Sequence, residues 1–150
     1  MSRVSKLYII FGLAIVSSSA LATTNCQITL QSNDQIQWDV HTIEVNKACQ
    51  TFSVTLVHQG KLSKEVMGHN WLLTKAEDKD AVIRVLLTAK NSEYIKEDAR
   101  IIAHTSLIGG GEQTTISFEV GKLVMGQKYN YFCSYPEHNE LMQGTLILVE

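Results

Sequence analysis

The stretch Thr51-Phe52-Ser53-Val54-Thr55-Leu56-Val57-His58 decides the fold. Phe52, Val54 and Leu56 alternate with Ser53 and Thr55, the two-residue period of a strand with one face buried. The alternation recurs with Ile28 and Leu30, and again with Ile116, Phe118 and Val120. Further β-rich runs at Gln35–Trp38, Ile101–His104, Gln127–Phe132 and Gly144–Val149 are separated by polar turns such as Ser32-Asn33-Asp34 and Gly109-Gly110-Gly111. Seven or eight short strands predict an all-β sandwich or barrel. One segment departs from this period. Thr74 and Glu77 read as a capping box, and Ala81 or Val82, Val85, Leu86 and Ala89 recur at helical spacing. This predicts one helix over about 75–89, inserted between strands as a flap rather than as a crossover between parallel strands.

The 150 residues, 45% hydrophobic and 19% charged, suit one globular domain. Thirteen basic against fifteen acidic side chains exclude charge-driven binding of nucleic acid. Arg3 and Lys6, the apolar run Leu7–Val16 and the small-residue site Ala20-Leu21-Ala22 follow the order of a secretory signal peptide. The apolar run spans only ~15 Å as a helix, half of a hydrocarbon core about 30 Å thick, so it is too short for an anchor. Thr24-Asn25 before Cys26 is not the context of a lipidated cysteine. The expectation is therefore a leader over 1–22, cleaved on export, and a single domain over 23–150 without a membrane anchor. That domain carries 11 basic and 15 acidic residues, a charge of −4.

In an oxidising compartment, three cysteines leave one over from pairing. Cys26 and Cys49 lie in plain strand-edge contexts with no histidine at ligand spacing, and pairing them leaves Cys133 free; the alternative is that both stay as thiols. Cys133 stands in Tyr131-Phe132-Cys133-Ser134-Tyr135-Pro136-Glu137-His138-Asn139-Glu140-Leu141-Met142. A thiol, an imidazole and a thioether thus fall within one turn between two strands, and Pro136 stiffens that turn. A fourth donor is needed. His69 in Met67-Gly68-His69-Asn70-Trp71 is the best candidate because the adjacent glycine admits close backbone approach, while His41, His58 and His104 compete. Soft sulfur with imidazole disfavours magnesium and calcium, and a weak thioether is of no use to zinc, which leaves copper.

Asn25-Cys26, Ser32-Asn33-Asp34-Gln35, Val66-Met67-Gly68-His69-Asn70-Trp71, Ile102-Ala103-His104-Thr105 and the Cys133 loop together resemble, in order and across the mature chain, the azurins, small periplasmic blue copper proteins of the cupredoxin family. The resemblance implies a Greek-key β-sandwich with a helical flap and a Cys26–Cys49 disulfide. It implies copper held by His69, Cys133 and His138, with Met142 and the Gly68 carbonyl as weak axial donors. Asn70 and Ser134 are implied to hydrogen-bond between the ligand-bearing loops, Trp71 to fill the core, and His58 and His104 to be a buried and a more exposed histidine. Ile36, Leu62, Val66, Met67, Tyr135, Pro136 and Leu141 are implied as an apolar patch around His138. Departures from the family pattern are Gln59, where a proline is usual, and Glu137 and Glu140, where Gly and Ala are common.

The function so implied is one-electron shuttling in the periplasm by a monomer, with c-type cytochromes and periplasmic reductases or peroxidases as partners and no catalysis. Two other readings compete: a copper carrier or storage protein, and a thiol enzyme with Cys133 as nucleophile and His138 or His69 as base.

Overall fold

Strand β3 (Thr51–His58) buries Phe52, Val54, Leu56 and His58 on one face, the alternation expected of it. The computed structural model describes residues 25–150, so the expected leader at 1–22 lies outside the described residues. β3 is the centre of a three-stranded sheet, parallel to β1 (Gln27–Ser32) and antiparallel to β6 (Gln113–Glu119). A second sheet has the order β2-β8-β7-β4-β5, from β2 (Thr42–Asn46), β8 (Gln143–Val149), β7 (Tyr129–Phe132), β4 (Leu72–Lys75) and β5 (Ile101–His104). The sheets face each other across one core. At its centre Trp71 stacks on Tyr131 at 6.0 Å and on Phe118 at 6.3 Å between ring centroids, and all three are buried. Among the described residues this is the expected cupredoxin-type sandwich, with eight strands. Among the described residues no helix is long and apolar enough to cross a membrane.

The flap is present but shorter than expected. Ala76–Asp78 form a 3-10 turn and α2 covers only Lys79–Leu86, with no side-chain cap at Asp78. The capping box fails because Thr74 is a buried residue of β4 whose hydroxyl donates to Lys75 O at 2.9 Å. Val82, Ile83 and Leu86 pack against Leu72 and Phe132 in a second apolar cluster. As β4 and β5 on either side of the flap pair antiparallel, the helix is an insertion and not a crossover.

Other boundaries move for local reasons. Gln35–Trp38 forms no strand, because Ile36 turns into the left-handed region at φ 57° and only Trp38 bridges back to Ser32. The strand instead is β2, where Ile43 and Val45 alternate inward. Val120 falls in a 3-10 turn beyond β6. A four-residue helix, α1 (Lys64–Met67), precedes Gly68.

Cys26 and Cys49 form a disulfide with a sequence separation of 23, tying the start of β1 to the approach to β3. Replacing both by Ser is expected to lower the unfolding free energy by about 3 kcal/mol, since the unfolded chain regains the entropy of that loop. Guanidinium titration measures this; a loss under about 1 kcal/mol would show that the constraint contributes little.

Candidate metal centre

The site forms where two loop ends of the sandwich meet. His69 precedes β4 and is fixed by reciprocal backbone bonds with Ile108, at 3.0 Å from its N–H and 2.9 Å to its carbonyl. Cys133 follows β7, and its N–H donates to Met142 O at 3.0 Å, closing the loop at its base. Within that loop the N–H groups of Leu141 and Met142 both donate to His138 O, which folds His138 back over Cys133.

Two segments far apart in sequence are thereby joined, and Asn70 and Ser134 lock them. Asn70 Nδ2 donates to Ser134 Oγ at 2.8 Å, and the Ser134 N–H donates to Asn70 Oδ1 at 2.8 Å, with both residues buried. Ser134 Oγ in turn donates to Tyr94 O at 2.7 Å. The Asn70–Ser134 bonds are those the resemblance implied; the Tyr94 carbonyl leaves no mark in a sequence. Gly68 is required by space, for a Cβ there would lie 2.5 Å from Lys64 O and 2.9 Å from Leu107 Cδ2.

The donor atoms of His69, Cys133 and His138 all lie within 4.8 Å of one another, and all three residues are buried. Cys133 Sγ is 3.9 Å from His138 Nδ1 and 3.9 Å from Gly68 O. Met142 is wholly buried at the end of the same loop. His69 Nε2 lies 2.8 Å from Asn33 O, so it carries the proton and leaves Nδ1 as a bare lone pair. That Nδ1 is buried and has no hydrogen-bond partner. A buried acceptor without a donor costs about 1–3 kcal/mol, and a soft cation bound by this nitrogen, the sulfur and His138 Nδ1 removes that cost. The residues therefore fit a copper ion.

The competing histidines stay out of the cluster. His58 is buried and stacks on His69 at 4.3 Å, but both its ring nitrogens are engaged, Nε2 with Met67 O at 2.9 Å and Nδ1 with the Gly60 N–H at 3.0 Å. The adjacent Gln59 N–H donates to Ser32 O at 2.9 Å, a bond that proline could not make. His104 is exposed, as expected, and so is His41.

The electrostatics do not suit an activated nucleophile. Burial pushes the Cys133 thiol up to about 11, against the pull of the Asn70 and Tyr135 backbone N–H groups. The thiol is buried and its ionisation disfavoured in the metal-free protein, the reverse of an activated nucleophile. Burial holds His69 down to about 4, with the Asn33 carbonyl opposing, and likewise His138, with the Gly68 carbonyl opposing. Both imidazoles are neutral, as metal ligation demands.

Residues 24–149 match the family described as copper binding proteins, plastocyanin/azurin family. The chain is similar to the azurin of Bordetella pertussis, 43% identical over 143 residues that cover 93% of this chain and 95% of that protein. It is 43% identical to an azurin of Pseudomonas aeruginosa over 95% of this chain and 97% of that one. An azurin of Pseudomonas denitrificans is 47% identical over 82% of this chain and 98% of its own length.

Histidines held near 4 in the fold and at 6.5 when unfolded make the unfolded chain the stronger proton binder between these values. The stability of the metal-free protein should thus be fully present above about pH 6.5 and fall as pH drops toward 4. Chemical denaturation across that range checks the slope, and His69→Gln should make it shallower. A slope unchanged by this substitution would place the acid sensitivity elsewhere.

Proposed function

The chain belongs to the plastocyanin/azurin family of copper-binding proteins, and on that premise we propose a periplasmic electron carrier whose copper is held by His69, Cys133 and His138, with Met142 and the Gly68 carbonyl as weak axial donors. The observation that carries this reading is the buried trio with the His69 Nδ1 lone pair unpartnered. Copper bound there supplies a one-electron couple.

The chain's own part is to hold the donors still. His69 is fixed through Asn33 and Ile108, and Cys133 through Met142 and the Asn70–Ser134 bonds, so these two ligands are held in place whichever oxidation state the ion would take. Complete burial of Cys133 and Met142 excludes water and leaves no position for a substrate. His138, 3% exposed, is the route outward. Residues 1–22 serve as the export leader and 23–150 as the working domain, acting as a monomer. The partners are redox proteins of the c-type cytochrome, reductase or peroxidase kind.

Copper(II) added to the metal-free protein should produce an intense blue absorption through the thiolate, and Cys133→Ser should abolish it. Retained colour in that variant would overturn the assignment of the sulfur. Met142→Leu should keep both copper and colour but raise the reduction potential, because lost axial donation disfavours the oxidised ion. Voltammetry reads the shift, and loss of copper instead would make Met142 a primary ligand.

A further inference from the structure

Glu137 and Glu140 flank His138 on the Cys133 loop, and both are exposed. Neither forms an ion pair among the described residues. The Glu140 carboxylate accepts from the neutral Asn139 amide at 3.1 Å, and its backbone carbonyl accepts from Gln143 Nε2 at 3.0 Å. Glu137 sits at φ 68°, a left-handed conformation that glycine adopts freely and a side chain with a Cβ does not. Between the two carboxylates, His138 is 97% buried behind its 3% exposure, and Nδ1 faces Cys133 Sγ. Ring geometry directs Nε2 away from the sulfur. Leu141 (62% exposed) lies on the same loop, its N–H donating to His138 O, and Val66 (61% exposed) lies on α1, whose Glu65 carbonyl accepts from the Tyr135 hydroxyl of that loop.

The nearby cations do not neutralise the carboxylates directly. Lys64 is paired with Glu93, and Lys79 donates to Gln143 Oε1. The domain as a whole adds a charge of −4 over 23–150. An apolar seat gives contact without direction, whereas exposed charges act over about a Debye length and orient the encounter. Resting on the electron-carrier reading above, we propose that Glu137 and Glu140 make the face around His138 selective for a positively charged redox protein, one that presents lysines or arginines around its own redox group. The carboxylates steer the approach and Val66 and Leu141 seat the partner.

The test uses the copper-loaded protein with two forms of one probe, basic mitochondrial-type cytochrome c and the same protein succinylated to make it acidic. Stopped-flow rates are followed against ionic strength for the wild type, Glu137→Gln with Glu140→Gln, and Glu140→Gln alone. The single variant leaves the strained position untouched should the double variant fold poorly. Wild-type transfer to the basic form should slow as salt rises, and transfer to the succinylated form should quicken. The double variant should lose about tenfold in rate toward the basic form at low salt, and both salt slopes should flatten. The single variant should fall between. A second readout does not depend on electron transfer: with both proteins reduced, NMR titration by the basic form should shift amides of 137–141, with an affinity that the double variant weakens. Equal salt slopes in all variants, or shifts elsewhere on the surface, would overturn the acidic selection while leaving the carrier reading intact. Failure of the wild type to exchange electrons with either form at any salt would overturn the carrier reading itself.

Discussion

The reciprocal pair of hydrogen bonds between Asn70 and Ser134 is the constraint on which the centre depends. It joins segments 64 residues apart, and it is made in a dry interior where each bond is stronger than in water and each broken one is costly. Because Asn70 follows His69 and Ser134 follows Cys133, the clamp sets the separation of two ligands without touching either donor atom. The rest of the site extends this arrangement. The Asn33 carbonyl fixes the ring of His69, the Ile108 bridge fixes its backbone, and the Met142 carbonyl closes the Cys133 loop. Burial alone would drive these polar groups out of a core. The clamp and the metal together make their burial tolerable.

The strands were legible where their signal was local. Alternation at Phe52, Val54 and Leu56 and at Ile116 and Phe118 marks one buried face, and the antiparallel register of β3 with β6 brings those faces together. What failed was decided by tertiary contacts. Thr74 has the chemistry of a helix cap, yet burial in β4 took its hydroxyl elsewhere. Gln35–Trp38 has the composition of a strand, yet Ile36 is held at a positive φ that breaks the ladder.

The centre divides in the same way. Cys133, His138 and Met142 are legible together because one turn must bring them close. His69 is not distinguishable by spacing from His41, His58 or His104; the adjacent Gly68 favours it, and the resemblance to azurins singles it out. In the structure the discriminator is hydrogen bonding: His58 has both nitrogens engaged and His69 has one bare. Backbone carbonyls such as those of Asn33 and Tyr94 carry no side-chain signature, so no reading of residue types could have found them.

The position of the Cys133 loop between the last two strands bears on the order of biosynthesis. β8 inserts between β7 and β2, so the base of the loop is set only when the most C-terminal strand has zipped into the sheet. A nascent chain that already exposes His69 still lacks the sulfur, the second imidazole and the thioether. The complete buried donor set is thus assembled only once the last strand has paired. A chain truncated during synthesis is left without the means to sequester a reactive ion.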